Sequence, residues 1–273
     1  MIIEIFKDSL EYSTKNKKRI LKLGILTFIS IIFLLPLILL QGYSYRIITI
    51  GVKGVINGDD PLPRFSKIGN MLVDGIKVLF VRFVYLLPGT IIAILFLVGN
   101  LAQFASSNIT YNVTAMNTFN QTVFTNIVPI IAKNAVISSG FISIAIILWI
   151  IFYLISDIAI VHMAENKGSI SYAFRFNDII DIIKSIGVFE YITIYLGMLI
   201  LLSGVIFTSA LILGLCQSIL ATIVTLLSTS FIVGSAISGL FVGIIAIFLL
   251  IFVLIPVVII FKSRIMALVY NMR

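Results

Sequence analysis

The sequence predicts an all-α, polytopic membrane protein with about six transmembrane helices. Its 273 residues are 60% apolar and only 11% charged, and the mean hydropathy is +1.20, which lies outside the range of soluble proteins. Residues 191–261 contain no Asp, Glu, Lys or Arg, whereas about 18 apolar residues suffice to cross a membrane. The apolar runs do not alternate with polar residues as the strands of a membrane barrel do.

Basic residues are concentrated in four segments, namely 1–22, 57–82, 164–187 and 262–273. Loops rich in Lys and Arg stay on the cytoplasmic side of a membrane. We therefore expect a multi-pass protein of the cell membrane with both termini in the cytoplasm and residues 101–134 outside. The mixed charge of the opening MIIEIFKDSLEY is not typical of a cleaved secretory signal. The net charge of +8 favours contact with anionic headgroups over nucleic acid.

The run 20–56 must cross the membrane twice if the first two basic segments lie on the same side. As one helix its 37 residues would extend about 55 Å, too long for one span and suitable for two short ones. Pro36 lies near the middle and predicts the turn. The alternative is a single span followed by a surface segment that carries Arg46 and Lys53. Three pairs of spans are thus predicted, at 20–35/37–56, 82–100/135–163 and 188–212/237–262.

An amphipathic stretch precedes each predicted pair of spans, at 2–12, 62–79 and 174–187. Such helices lie in the headgroup plane with the apolar face toward the lipid, or they pack on the helical bundle. Asp59 or Asp60 is expected to cap the second one. The predicted apolar faces are Ile2, Ile3, Phe6 and Leu10; Phe65, Ile68, Leu72, Ile76 and Leu79; and Ile179, Ile180, Ile183 and Ile186.

The repeat predicts a single membrane domain over 1–273 with three modules. These are 1–57, 58–163, which contains the outer loop 101–134, and 164–273. The Ser/Thr-rich stretch 214–236 fits a re-entrant segment, an outer interfacial helix or further spans, and the pattern leaves these alternatives open.

Two blocks, GYSYR…NGDDPLPRFSKIGNMLVDGIK and AFRFNDIIDIIKSIGVFEY, resemble an archaeal family of integral membrane proteins of unknown function. The resemblance implies several spans and no particular activity. Arg64 departs from the family pattern, which usually has an acidic residue there. A fainter resemblance is to the membrane segment attached to some glycerophosphodiester phosphodiesterases. The positions that carry the family resemblance are Gly42, Tyr43, Arg46, Gly58, Leu62, Pro63, Phe65, Asp74, Gly75 and Lys77, then Ala173, Phe174, Phe176, Ile183, Ile186 and Gly187.

Few residues are candidates for a catalytic or binding site. Arg46, Asp157 and Glu190 lie within predicted spans, where a charge is costly unless it has a partner or faces water. An Arg46–Asp157 pair would relieve two of these costs, as a structural contact or as the floor of a polar pathway. His162 and Glu165 are further polar candidates near an inner end of a span. They are too few for a metal site, so neither a metal nor a cofactor is expected.

Three Asn-x-Thr triplets, at Asn108, Asn112 and Asn120, all fall in the predicted outer loop and are candidate glycosylation sites. The alternative is ordinary polar-loop composition.

For the whole chain we expect a non-catalytic component that organises lipid or anchors a complex. The alternatives are a small-molecule or lipid carrier that works through the bundle interface and, third, an intramembrane enzyme. The expected partners are membrane lipids with anionic headgroups and a protein partner or second copy.

Overall fold

Long apolar helices account for most of the chain in the computed structural model. The structure describes residues 1–106, 128–228 and 231–273, and these residues form helices and loops without strands. The all-α class is thereby confirmed for the described residues. The helices are α1 (Ile2–Thr14), α2 (Lys17–Ile32), α3 (Leu34–Gly51), α4 (Ile68–Ser106), α5 (Val128–Glu165), α6 (Ile170–Ala173), α7 (Phe176–Ile186), α8 (Val188–Ser228), α9 (Phe231–Leu249) and α10 (Ile255–Tyr270), with a π-helical turn at Leu250–Leu254.

Five helical stretches of the described residues are long and apolar enough to cross a membrane. They are Leu34–Gly51, Ile68–Val98, Phe141–Glu165, Val188–Leu226 and Ser235–Tyr270. The 16 residues of α2 extend about 24 Å, which is less than the roughly 30 Å of a hydrocarbon core. The finding supports a membrane protein with several apolar helices, while the sixth span and the paired arrangement stay predictions.

The chain divides into two compact units. Unit 1 contains Met1–Phe80 and Ile158–Arg273, and unit 2 contains Val81–Asp157. These two units do not test the three predicted modules, which therefore stay a prediction. The core of unit 1 is formed by buried side chains of α1, α2, α3, α4, α10 and the segment between α3 and α4: Tyr12, Ile20, Leu23, Leu40, Tyr43, Ile47, Leu62, Met71 and Ile260.

The break within the first apolar run lies at Phe33, three residues before the predicted turn at Pro36. Phe33 has an extended backbone (φ −121°, ψ 139°) between α2 and α3. Pro36 is the third residue of α3. Proline is tolerated in the first turn of a helix because the N–H that it lacks has no partner there. The proline therefore marks the start of the second helix, and the turn precedes it.

Two glycines allow α3 and α4 to approach closely in unit 1. A Cβ atom on Gly42 would overlap the Met71 carbonyl oxygen, and one on Gly75 would overlap the Ile38 carbonyl oxygen. The backbones are thus in direct contact at two points four residues apart on each helix. Only glycine at these positions permits that contact without moving a helix.

Of the three predicted amphipathic helices, α1 and α7 form as separate helices. The buried residues of α1 are Ile5, Asp8, Ser9, Tyr12 and Ser13. On the predicted apolar face of α1, Ile3 is 83% exposed and Leu10 is also exposed. Helix α1 therefore packs on α10 through its more polar side, which leaves apolar side chains at its outer surface. In α7 the buried isoleucines are Ile179, Ile182 and Ile186, while Ile180, predicted on this face, is exposed.

The separate helix predicted over 62–79 does not form. Residues 52–67 lie between α3 and α4 and form no helix, and residues 68–79 are the first turns of the 39-residue helix α4. Asp59 and Asp60 consequently do not cap a helix. Both carboxylates instead bond to side chains of unit 1, Asp59 to Lys15 and Asp60 to Arg264.

The predicted connector over 214–236 is largely helical, because α8 continues without interruption to Ser228. The 41 residues of α8 extend about 60 Å, so the helix continues past residue 212, while the predicted end of the span at that residue stays a prediction. The serines and threonines do not break the helix, since their hydroxyls donate to carbonyl oxygens one turn earlier in α8. Examples are Ser209 to Val205, Ser218 to Gly214, Thr222 to Ser218 and Thr225 to Ala221. The Asn-x-Thr triplets at Asn108, Asn112 and Asn120 lie outside the described residues.

Candidate functional site

Residues 52–67, called the linker below, join α3 to α4 and are held in place by side chains of other elements. Carbonyl groups of the linker accept hydrogen bonds from α1, α2, α3, α10 and the residue that follows α10. A helix beginning at residue 62 would need several of these carbonyls for its own bonds, which explains why α4 begins only at Ile68. The bonds are Tyr12 to Pro61, Arg19 to Leu62, Tyr43 to Pro63, Arg264 to Val55, Asn271 to Gly54, and Arg46 to Arg64, Ser66 and Lys67.

Arg264 of α10 is the central charge of this region. Its guanidinium is fully buried and donates through Nε to Asp8 Oδ2 at 2.9 Å and through Nη1 to Asp60 Oδ2 at 2.7 Å. The same group lies 4.8 Å from the centre of the Tyr12 ring. Asp8 is nearly as buried as Arg264, and its other oxygen accepts the backbone N–H of Asn57 at 2.7 Å. One arginine therefore ties the N-terminal helix, the linker and the C-terminal helix together.

Two residues near the cluster of Arg264, Asp8 and Asp60 also bond to the linker. Burial raises the pKa of the Tyr12 hydroxyl, which outweighs the opposing effect of the Arg264 charge. Tyr12 therefore keeps its proton and donates to the Pro61 carbonyl at 3.4 Å. At the rim, a hydrogen bond from Lys15 and its positive charge hold the pKa of exposed Asp59 below its usual value. Asp59 is thus charged at neutral pH and pairs with Lys15.

The structure gives Arg46 and Asp157 partners within their own units, and the predicted Arg46–Asp157 pair stays a prediction. Arg46 belongs to unit 1, where its guanidinium donates to the Ser66 carbonyl at 2.6 Å and the Lys67 carbonyl at 3.0 Å. Asp157 belongs to unit 2, where the fully buried carboxylate accepts Arg82 Nη2 at 2.9 Å. Arg46 is close to the linker along the chain, and carbonyl oxygens satisfy a guanidinium without a carboxylate.

His162 and Glu165, the other predicted polar candidates, belong to one hydrogen-bonded network in unit 1. His162 Nδ1 lies 2.7 Å from the Tyr270 hydroxyl, which donates to Glu165. Arg273 pairs with Glu165 and donates to the Tyr270 hydroxyl at 2.9 Å. The network joins the end of α5 to the end of α10. The described residues contain no group of three or more His, Cys, Asp or Glu side chains placed to hold a metal ion. Glu190, the remaining candidate, is exposed in the first turn of α8.

A cavity of about 500 Å³ opens beside the linker. We call it the basic pocket, because five of its lining residues are basic and two are acidic. All lining residues belong to unit 1 and come from the end of α3, the linker, the start of α4 and the segment 164–168. The lining consists of Tyr45, Arg46, Thr49, Ile50, Lys53, Pro63, Arg64, Ser66, Asp74, Lys77, Ala164, Glu165, Lys167 and Gly168.

Residues 25–216 match a family described as a protein of unknown function, DUF4013. The match covers more than half of the chain. The chain belongs to this family. No curated protein and no solved structure matches it. The matched residues include α3, the linker, the basic pocket and the unit 2 pair Arg82–Asp157. Asp8 and Arg264 lie outside the matched residues.

Sequence reasoning missed three residues that the structure makes central: Arg264, Asp8 and Arg82. Arg264 was counted with the C-terminal basic segment, although six apolar or aromatic residues, IMALVY, follow it directly. Arg82 likewise lies inside an apolar run, KVLFVRFVYLL. A charge so flanked within a helix predicts a buried partner, so the signal was present for both arginines. Asp8 carried no such signal, because it lies among polar residues in FKDSLEY, as an ordinary surface residue would.

Proposed function

We propose that this protein is a non-catalytic component of the cell membrane that organises lipid or anchors a partner complex at the cytoplasmic face. The observation that carries the proposal is that residues of all four basic segments of the sequence meet within unit 1. Arg264 joins the N-terminal helix, the linker and the C-terminal helix. Lys77 donates to the Gly168 carbonyl at 2.9 Å, and Arg273 pairs with Glu165. Basic segments that meet in this way are suited to binding anionic headgroups.

The meeting of these segments also supports a topology of six spans with both termini in the cytoplasm. Segments that touch lie on the same side of the membrane, so an even number of crossings must separate each from the next. The helices α2 and α3 supply the first two crossings, with the short α2 as the sixth span. The start of α2 and the end of α3 both bond to the linker through Arg19 and Arg46, as expected for two helices that run in opposite directions.

Topology is tested by labelling single cysteines from each side of the membrane in a Cys216→Ser background. Cysteines at Lys17, Ser66 and Lys167 should react only with reagent on the cytoplasmic side, and one at Asn112 only from outside. Labelling of the Ser66 cysteine from outside would overturn the two crossings assigned to α2 and α3.

Function is tested by extracting the protein with its surrounding membrane and analysing the bound lipids and proteins by mass spectrometry. An organising or anchoring role predicts enrichment of anionic lipid relative to the bulk membrane, or a protein partner at fixed stoichiometry. A lone chain in lipid of bulk composition would contradict the proposal. Release of a bound solute across the bilayer of proteoliposomes would favour the carrier alternative instead.

A further inference from the structure

The basic pocket contains three cationic side chains that are available to a ligand. Lys53, Arg64 and Lys167 line it, and their exposed side chains form no hydrogen bond or ion pair within the described part of the chain. The other two cations, Arg46 and Lys77, are occupied. Positive charges that converge on one cavity without carboxylate partners repel one another, and an anion would relieve that repulsion.

The occupied cations fix the backbone that carries the available ones. Arg46 bonds the carbonyls of Arg64, Ser66 and Lys67, and Lys77 bonds the Gly168 carbonyl. These bonds anchor both segments that present Arg64 and Lys167. Because the backbone is held before any ligand arrives, less ordering is required on binding than for lysines on a free loop. The backbone that presents Arg64 and Lys167 to the pocket is therefore already held in place.

The pocket also contains a free hydrogen-bond acceptor. Asp74 of α4 is half-buried in the lining, and within the described residues it has no ion pair and no side-chain hydrogen bond. The positive charges of Lys77 and Arg46 act on this carboxylate. A carboxylate beside cations does not favour a bare anion. It does accept hydrogen bonds from hydroxyl groups, which suits a ligand that carries phosphate at one end and hydroxyls at the other.

We propose that the basic pocket binds a phosphopolyol, that is, a phosphate group that carries hydroxyls, either as a lipid headgroup or as a free sugar or glycerol phosphate. Lys53, Arg64 and Lys167 contact the phosphate, and Asp74 accepts hydroxyl hydrogens. The cavity of about 500 Å³ lies within the range of roughly 300–1,000 Å³ typical of small-ligand sites and exceeds what phosphate alone needs. The lipid form of this inference rests on the proposed function, and the free form does not.

Binding is tested with the purified full chain in a neutral detergent, using glycerol 1-phosphate, inorganic phosphate and glycerol as probes in calorimetry. The same protein is placed in phosphatidylcholine nanodiscs with and without phosphatidylglycerol, and the retained lipid is identified by native mass spectrometry. We expect glycerol 1-phosphate to bind more tightly than phosphate, or phosphatidylglycerol to be retained at fixed stoichiometry.

The variant Lys53→Gln/Arg64→Gln/Lys167→Gln should weaken binding by about tenfold or more. Its matched control is Lys17→Gln/Lys18→Gln/Lys22→Gln, which removes the same charge from exposed residues of α2 outside the pocket. The control should bind glycerol 1-phosphate like the parent. Both variants should melt like the parent, since the described residues make no bonds to the changed side chains. Asp74→Ala should reduce the preference for glycerol 1-phosphate over phosphate.

The outcomes separate the sources and the two proposals. Retention of phosphatidylglycerol that only the pocket variant loses assigns a lipid headgroup. Binding of glycerol 1-phosphate without lipid retention supports the site with a free ligand and counts against the membrane-organising function. Equal loss in both triple variants would show general surface attraction and overturn the inference. Failure of every probe to bind would overturn it as well.

Discussion

Two regions of unit 1 satisfy their polar groups in opposite ways. Around the linker, charged and aromatic side chains from four helices bond to the backbone and to one another across long sequence distances, as Arg264 does with Asp8. In α8, hydroxyl groups bond to carbonyls of the same helix one turn away. The most apolar stretch of Val188–Leu226 has no buried residue. The polar groups around the linker depend on partners from other elements. The hydroxyl groups of α8 find their partners within the helix itself.

This difference indicates where sequence changes will matter. A helix that satisfies its own polar groups is compatible with lipid on all sides. A backbone segment without helix, such as the linker, requires a partner for each buried polar group. We therefore expect the largest effects at side chains that bond the linker and the smallest in α8.

Arg264→Met should have the largest effect. Removal of the guanidinium leaves Asp8 buried and Asp60 half-buried without their partner, and loss of one member of a buried ion pair costs about 3–5 kcal/mol. We expect a strong fall in the midpoint of thermal unfolding in detergent, with loss of monodisperse protein. Restoration by the triple change Arg264→Met/Asp8→Asn/Asp60→Asn would show that the unpaired charge is the cause. An unchanged midpoint in the single variant would contradict the central role of Arg264.

Substitution of the glycines between α3 and α4 should come next. In Gly42→Ala or Gly75→Ala the added Cβ meets backbone oxygen of the facing helix, which cannot move as a side chain can. Overpacking of this kind costs about 1–3 kcal/mol, and we expect the upper part of that range. The midpoint of thermal unfolding measures it. Full tolerance of both substitutions would mean that α3 and α4 are farther apart than the structure places them.

Arg46→Leu should have a smaller effect, about 1–2 kcal/mol, because the carbonyls of Arg64, Ser66 and Lys67 lose a charged donor but stay near water. The linker should loosen before the whole chain unfolds. Trypsin cleavage after Arg64 and Lys67 in the folded protein should therefore be faster than in the parent. Lys22→Gln, an exposed change in α2, is the control and should leave cleavage unaltered. Equal cleavage rates would show that Arg46 does not restrain the linker.

The same contrast explains which features could be predicted from sequence. Composition and helical periodicity located the apolar helices, and they also located α1 and α7, because these elements depend on local pattern. The start of α4 at Ile68 was missed because carbonyl acceptors of the linker bond to side chains distant in sequence, such as Tyr12 and Arg264. No local pattern contains that information.

The candidate site was predicted only in part for a related reason. Arg46 was singled out as a charge that needs partners, and the partners that the structure gives it are backbone carbonyls, which every residue possesses and no sequence distinguishes. Asp74 and Lys77 appeared in the family pattern without an assigned role, and the structure places both in the lining of the basic pocket. Arg64 and Lys167 lie about 100 residues apart in sequence, and their approach required the fold.

Gly214→Ala in α8 should have the smallest effect and should oppose the others in sign. A Cβ atom on Gly214 meets no atom of the chain within contact distance, and alanine favours a helix interior over glycine by up to about 1 kcal/mol. The midpoint of thermal unfolding should therefore stay constant or rise slightly, whereas the chemically identical change Gly42→Ala lowers it. If Gly214→Ala lowers the midpoint in membrane-like discs but not in dilute detergent, a second chain packs against α8, and the region is not independent of partners after all.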